Sequence, residues 1–377
     1  MRLSCLQENL SRGLSVVGRA VAARTTLPIT QNVLISTDES RLKLSATNLE
    51  IAITTWIGAQ IEEPGSITVP ARLLTEFVSS LPAERIDMVT SDQPLNLALN
   101  CARFEGRVNG SDSADFPPIP TVESGVVSKI EPQALSDAIA HVAFAAATED
   151  SRPALTGVKM EIQGDSLTFA AADGFRLAVY NAKLAEPSSE DASFIIPARA
   201  LAEVHRLIGS QQEMVEFTVT PAKSQALFRL DNVEVVSQLV QGTFPNYSQL
   251  IPQAFESRAV VSLDDFMKAT RTASIFARDG SGIVRIQVVG GEDGGPGKLS
   301  IVSRAEEVGE NQGEIDAKVE GDEARIAFNS KYLSDVLNVL SEDEVALETT
   351  TPSSPGVLRP IGNDNYTHVV MPMFVQW

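Results

Sequence analysis

Apolar residues along the chain recur with two periods. Leu10, Leu14, Val17 and Val21, and again Leu201, Val204 and Ile208, return every three or four positions, the spacing of one helix face. Leu42, Leu44 and Ala46, like Val215, Phe217 and Val219, return every second position, as in a strand with one face in a core. Followed along the chain, the pattern reads strand, helix, several strands, then strand, helix and several strands again. That order occurs three times. Leu10, Leu135 and Phe266 take matching places in three leading helices, each behind a β-like run: Met1-RLS, Val126-VSKI and Arg258-AVVSL. Matching strands follow in Leu42-KLSATNLEIAI, Leu167-TFAAADGFRLAV and Leu299-SIVSRAEE, and the first two units close alike with Ala114-DFPPIP and Gly242-TFPNYSQLIP. Such self-similarity predicts three repeated domains, 1–122, 123–255 and 256–377, each of ordinary domain size and able to bury its own core. The fold class is α+β, with antiparallel sheets and two helices per domain.

The second helix of each repeat carries an electrostatic oddity. In Ser66-ITVPARLLTEFVSSLP, Phe194-IIPARALAEVHRLIG and Arg325-IAFNSKYLSDVLNVL, a short apolar strand meets Pro70, Pro197 or Asn329. A helix then opens whose second residue is Arg72, Arg199 or Lys331. Proline suits a first helical turn, where its missing N–H would be unpaired anyway. A cation there opposes the helix dipole at a cost of about 0.3–1 kcal/mol when exposed. Its return in every repeat implies something anionic opposite.

Composition is that of ordinary globular protein, 43% hydrophobic and 21% charged, and no apolar run approaches a membrane span. Arg2, Glu8, Arg12 and Arg19 interrupt the N-terminal apolar stretch, unlike a signal peptide. Cys5 and Cys101 are too few for a disulfide framework, which fits a reducing cytoplasm and leaves a single bridge open. The net charge of −19 argues against simple DNA binding, because duplex affinity comes largely from lysine and arginine displacing counterions. The acids gather in expected loops and edges, Glu186 to Asp191, Glu306 to Asp322 and Glu342 to Glu344. The three aligned cations instead open helices, which predicts an acidic outer surface and a weakly basic inner face. Glu76, Glu203, Asp335, Asp137 and His141 temper that face, and ordinary solvated helix surfaces remain the alternative.

Catalytic patterns are nearly absent. His141, His205 and His368 fall in different repeats without metal-ligand spacing and read as surface or partly packed residues. No G-x-S-x-G elbow occurs, and Gly290-GEDGGPG lacks the lysine and Ser/Thr of a phosphate loop, reading as a hairpin tip. Asp173-Gly174 is a common turn with no second acid placed for acid–base work. No catalytic residue, metal or cofactor is expected.

Eight motifs point further. Thr26-LPIT, Thr47-NLE, Thr68-VPAR, Ala114-DFP, Ala172-DGFRLAV, Gly242-TFPNY, Phe328-NSKYLSDVLNVL and Val369-VMPM fall in one colinear order. In that order and spacing the chain resembles, from end to end, the bacterial DNA polymerase III β subunit, the replicative sliding clamp.

The resemblance implies a homodimer of two three-domain subunits joined head to tail, a six-domain ring whose helices line a hole around duplex DNA. It implies that Arg72, Arg199 and Lys331 face phosphate, with Arg24 before Thr26-LPI and Arg152 in a second loop near the hole. Such contacts position a duplex without reading bases. It implies ring closure through Phe104 on one side and Ile275 and Phe276 on the other, the alternative being that these are core residues of their own domains. It also implies a groove for short peptides of the polymerase III catalytic subunit, the clamp loader, other polymerases and repair proteins. The matching positions are Leu155, Ala172, Gly174, Phe175, Arg176, Leu177, Pro245, Asn329, Tyr332, Val369, Met371, Pro372 and Met373. Methionines suit a site that accepts varied side chains, although Met371-PM by itself reads more often as a core edge. ATP would belong to the loader, and the location implied is cytoplasmic, with no membrane partner. Three departures stand out: Ala172 in place of a frequent threonine, Gln249 in place of a frequent arginine, and the tail Phe374-VQW, whose Trp377 is expected to cover or extend the groove. Two other readings stay open, a hydrolase or transferase using acids spread over the domains, and a clamp-fold scaffold or paralogue outside bulk replication.

Overall fold

A computed structural model describes residues 1–377 apart from 123, 150, 279, 292–294, 306 and 308. Among these it contains six α-helices: α1 (Gln7–Val17), α2 (Ala71–Ser80), α3 (Pro132–Val142), α4 (Ala198–Ile208), α5 (Leu263–Arg278) and α6 (Ser330–Leu337). Each follows a strand with at most one residue between. Leu10, Leu135 and Phe266, the matching residues of the leading helices, are all fully buried. Leu201, Val204 and Ile208 of α4 are buried as their spacing predicts. Val21 is not part of α1, which ends at Val17; the Gly18 N–H turns back to the carbonyls of Leu14 and Val16, and a 3-10 turn, Gly18–Ala20, follows. Glycine's poor helix propensity favours the break at that point.

The chain packs as two compact units. One comprises Met1–Pro132, Leu184–Glu190 and Ala200–Leu239, the other Gln133–Lys183, Asp191–Arg199 and Val240–Trp377. In the first unit, a five-stranded antiparallel sheet runs from Gln60–Glu63 through Arg2–Leu6, Arg85–Asp92 and Leu95–Cys101 to the edge strand Phe104–Asn109. An eight-stranded sheet joins the first repeat to the second where Ile51–Gly58 pairs with Val233–Gln238, Ile53 opposite Val235. In the second unit, a twelve-stranded sheet crosses between the second and third repeats where Arg176–Lys183 pairs with Tyr366–Val370, Val179 opposite Thr367. Edge-to-edge pairing satisfies backbone groups that an exposed strand edge would leave open, so packing units and sequence repeats need not coincide.

One expectation about loops changes, and the hairpin tip expected at Gly290-GEDGGPG falls partly outside the described residues. The acidic run from Glu306 to Asp322 is, over Gly309–Gly321, a thirteen-residue strand paired on both sides, with Gly297–Ala305 and with Ser257–Ser262. Its acids alternate outward from a sheet, as at Lys298–Glu314 (3.2 Å). Within the glycine-rich stretch at 290–297, residues 292–294 lie outside the described residues.

Core packing is tight where strands of the second unit cross. A Cβ added at Gly356 would sit 2.3 Å from Cζ of Phe328, a fully buried ring. Gly356→Ala therefore forces that ring to shift, and we expect a loss of about 1–3 kcal/mol in unfolding free energy. Urea titration of both proteins with unchanged slope checks this; an unaltered midpoint would mean that the ring has room to move.

Candidate functional site

The turn at 172–176 organises the site. Asp173 Oδ1 accepts the N–H groups of Phe175 (2.8 Å) and Arg176 (3.0 Å), an Asx turn, and Gly174 takes φ +95°. The equivalent turn of the first repeat is built alike: Asn48 Oδ1 accepts the N–H groups of Glu50 and Ile51, and Leu49 takes φ +77°. Asp and Asn favour this local bonding, and glycine carries positive φ without strain. Gly174 also leaves space, since a Cβ there would meet the Arg152 guanidinium at 2.9 Å.

Arg176, the next residue, is buried. Nε reaches Asp173 Oδ2 at 3.0 Å, Nη1 reaches Asp335 Oδ2 at 2.6 Å, and Nη2 donates to the Phe144 carbonyl at 2.8 Å. The guanidinium lies over Tyr332, 4.6 Å from its centroid, and Phe144, at 5.3 Å. Two carboxylates, a carbonyl and two rings thus replace the water it has lost, the condition under which a buried charge is tolerated. Tyr332 in turn stacks on Phe175, centroids 6.3 Å apart, and the Phe175 side chain stays more than half exposed.

Beside this cluster lies an apolar floor. Leu155, Ala172, Leu177 and Val369 pack with Ala170, Val179, Ile195, Phe244 and Val357, flanked by the half-buried Val240, Tyr247 and Ile251. The tail runs along it: the Met371 N–H donates to the Phe175 carbonyl at 2.8 Å, and the Met373 N–H to Ala327 at 2.8 Å. Met371, Pro245 and Gly174 are exposed, Asn329 half-buried, and Pro372 and Met373 half-buried beyond the last strand. After Met373 the side chains turn to solvent, Phe374 at 88% exposure and Trp377 at 51%.

Residues that motif matching passed over complete the site: Phe144 and Asp335 around Arg176, and Phe244 and Tyr247 in the floor and its rim. Phe244 and Tyr247 belong to Gly242-TFPNY, and that motif was the signal available. The Tyr247 hydroxyl bonds Glu161, and Lys159 Nζ lies 5.3 Å from the Tyr247 ring centroid. Burial, then the bond to Glu161, pushes the Tyr247 hydroxyl above its ordinary pKa. Burial would raise the Glu161 carboxyl, but hydrogen bonds from Lys159 and Tyr247 hold it below the usual range. Asp335 lies within Phe328-NSKYLSDVLNVL, which was its signal; nothing local identifies Phe144. No group of three or more His, Cys, Asp or Glu suited to a metal occurs among the described residues.

The aligned cations do occupy the second position of α2, α4 and α6. Pro70 sits one residue before α2, at its cap, and Asn329 caps α6 by accepting the Lys331 N–H at 2.9 Å. Arg72 pairs with Glu76 (2.9 Å) and Lys331 with Asp335 (2.9 Å), both i,i+4 pairs, the first exposed on both sides and the second with a half-buried carboxylate. Glu203 of α4 binds Arg19 and Arg206 instead, and Arg199 is exposed without an ion pair among the described residues. Arg24 is exposed in the loop before Pro28–Gln31. Arg152, exposed as well, donates from Nη2 to the Asp173 carbonyl at 2.9 Å. Phe104 and Ile275 are more than half exposed and Phe276 is half-buried, so the core reading fails for the first two.

The histidine expectation is corrected. His368 is fully buried and His141 nearly so, while His205 is half-buried. His368 Nδ1 meets the Tyr366 hydroxyl at 3.0 Å and its ring stacks on Phe144 at 5.6 Å; His141 Nδ1 bonds the Asp137 carbonyl at 2.7 Å and its ring edges Tyr366 at 4.9 Å. Apolar neighbours on strands and helix distant in sequence enclose both.

Three family models match the chain: DNA polymerase III beta subunit, N-terminal domain at residues 1–120, central domain at 129–246 and C-terminal domain at 248–374. The beta sliding clamp of Synechococcus elongatus is 32% identical over 377 residues, covering 99% of each chain. That of Staphylococcus aureus is 32% identical over 364 residues, covering 94% of each. Among solved structures, the Bacillus subtilis sliding clamp superposes with a TM-score of 0.93 at 28% identity, covering both chains entirely. The DNA polymerase III subunit beta of Pseudomonas aeruginosa does so at 0.91 and 28%.

Burial, then the charge of Arg176, lowers the His368 pKa to about 3. An unfolded histidine takes up its proton near pH 6.5, so below that the unfolded state binds more protons and stability falls with pH. From pH 6.5 to about 4, His368 alone contributes a slope of roughly 1 kcal/mol per pH unit. Urea unfolding across that range should be steeper in pH for the wild type than for His368→Leu; equal slopes would mean that His368 is protonated in the fold.

Proposed function

The chain belongs to the DNA polymerase III beta subunit family, and from the arrangement of its second unit we infer that it receives partner peptides over the floor formed by Leu155, Ala172, Leu177 and Val369. It is a DNA sliding clamp, a non-catalytic processivity factor that keeps the replicative polymerase on its template. Two copies close head to tail into a ring around duplex DNA, and the clamp loader and repair proteins use the same subunit. Its three clamp domains are read as 1–122, 123–255 and 256–377, a division supported by the threefold repeat. A cytoplasmic location is supported by work on DNA inside the cell and by two free, buried cysteines; no described helix is long and apolar enough to cross a membrane.

The groove is supported by one observation above others: an apolar floor lies beside the exposed Phe175, stacked on the half-buried Tyr332, and an exposed Met371, with backbone already anchored around it. A peptide with a glutamine followed by apolar and aromatic residues buries its large side chains there, and Met371 adapts to differences among partners. Ala172 offers no hydroxyl to that peptide, so apolar contact dominates.

DNA lies against Arg24, Arg72, Arg199 and Lys331, with Arg152 close to the peptide turn. Arg72 and Lys331 are each partly neutralised by an acid one turn on. The contact is accordingly weak, in a protein of net charge −19. Weak phosphate contacts permit translation along the duplex, and closure of the ring prevents escape. Closure uses Phe104, which opens the edge strand Phe104–Asn109 of the five-stranded sheet, together with Ile275 and Phe276 of α5. A free strand edge and exposed apolar side chains are what an isologous or head-to-tail contact consumes.

After loading onto nicked circular DNA the protein should stay bound through gel filtration and leave quickly once the circle is cut, with polymerase extension processive only while it is retained. Similar residence on linear and circular DNA would sink the topological reading. Replacing Ile275 and Phe276 with serine should give folded monomers, half the mass of the wild type by light scattering. Loss of folding would instead return Phe276 to the domain core.

A further inference from the structure

One carboxylate oxygen joins the two surfaces. Asp335 Oδ2 accepts Arg176 Nη1 at 2.6 Å and Lys331 Nζ at 2.9 Å. Lys331 is 72% exposed at its side chain, whereas that of Arg176 is 6% exposed beneath the Phe175–Tyr332 wall. Asp335, Lys331 and Tyr332 all stand on α6, and the Lys331 backbone is pinned by the Asn329 cap. Only the lysine side chain is therefore free to change partner. Arg152, the other cation of the second unit tied to this turn, holds it from a separate loop through the Asp173 carbonyl.

We propose that Asp335 is a positioning residue that couples duplex occupancy to peptide occupancy. Phosphate competes for Lys331 and draws its ammonium off Oδ2. Asp335 is then left to Arg176 alone, and the charge-assisted bond that holds Arg176 against Tyr332 tightens. The aromatic wall becomes better ordered, and a peptide meeting it loses less freedom on binding. Coupling of this kind is reciprocal: a bound peptide, which fixes Tyr332 and Arg176, favours the arrangement in which Lys331 is released to phosphate. The clamp would thereby hold its partners more firmly on DNA than off it. The proposal rests on the groove being the peptide site and on Lys331 facing DNA, as set out above.

The test uses the full-length dimer, a fluorescein-labelled peptide Gln-Leu-Ala-Leu-Phe and a saturating short linear duplex at low salt, read by anisotropy. For the wild type we expect the duplex to tighten peptide binding about fivefold, at the low end of coupling between sites. Lys331→Met should bind peptide without duplex as tightly as the wild type does with it, and show no further response. Asp335→Asn should bind peptide more weakly in both conditions and also lose the response. Peptide should raise wild-type duplex affinity by the same factor. If the wild type binds no peptide at all, the groove reading fails. If it binds peptide but both variants keep the wild-type response to duplex, the coupling is wrong and the groove stands. Should Asp335→Asn unfold, Lys331→Met decides alone, because its exposed side chain carries no core contact.

Discussion

The site depends on the burial of one guanidinium. Arg176 begins the strand Arg176–Lys183, and its register opposite Val370 places it at the start of the pairing that joins the second repeat to the third. At 8% exposure it has lost most of its water, and Asp173, Asp335 and the Phe144 carbonyl take the water's place. Removing either carboxylate leaves the other to balance the charge alone, so a substitution there is destabilising. The turn 172–176, helix α6 and the 3-10 turn Ala143–Ala145 carrying Phe144 are therefore tied to a single point. The exposed aromatic wall above inherits its position from that point.

Around it, sheet edges are consumed by pairing. Each repeat contains strands whose outer edge would stand open in isolation, and antiparallel pairing of Ile51–Gly58 with Val233–Gln238, or Arg176–Lys183 with Tyr366–Val370, closes them. Chain edges that are not closed carry meaning. Phe104–Asn109 remains an edge, and the large apolar residue at its start faces solvent. In a protein that works as a dimer, such an edge is open to pairing with a second copy.

Charge is distributed by the same logic. A net charge of −19 keeps most of the surface repulsive toward DNA, and the acids of Gly309–Gly321 are spread along a paired strand rather than a loop. The cations at the starts of α2, α4 and α6 sit against that background. Two of them are balanced by an acid four residues later, which lowers the positive charge those helix starts present. Retention by closure rather than affinity follows from this restraint.

The sequence by itself determined the elements and their repetition. Periods of two and near four placed Leu42, Leu44 and Ala46 in a strand and Leu201, Val204 and Ile208 on the buried face of α4, and Asp173-Gly174 specified its own turn. These are effects of a few neighbouring residues, so they are written in a few neighbouring letters. Motif order marked Leu155, Leu177 and Val369, which do share one floor. Only the tertiary structure decided that His368 is buried and neutral, that the run after Glu306 becomes a strand, and that Arg176 bonds Asp335, 159 residues away. A buried charge or a joined sheet edge is decided by partners that folding brings together from distant segments, and pattern within a segment carries no record of which partner that will be.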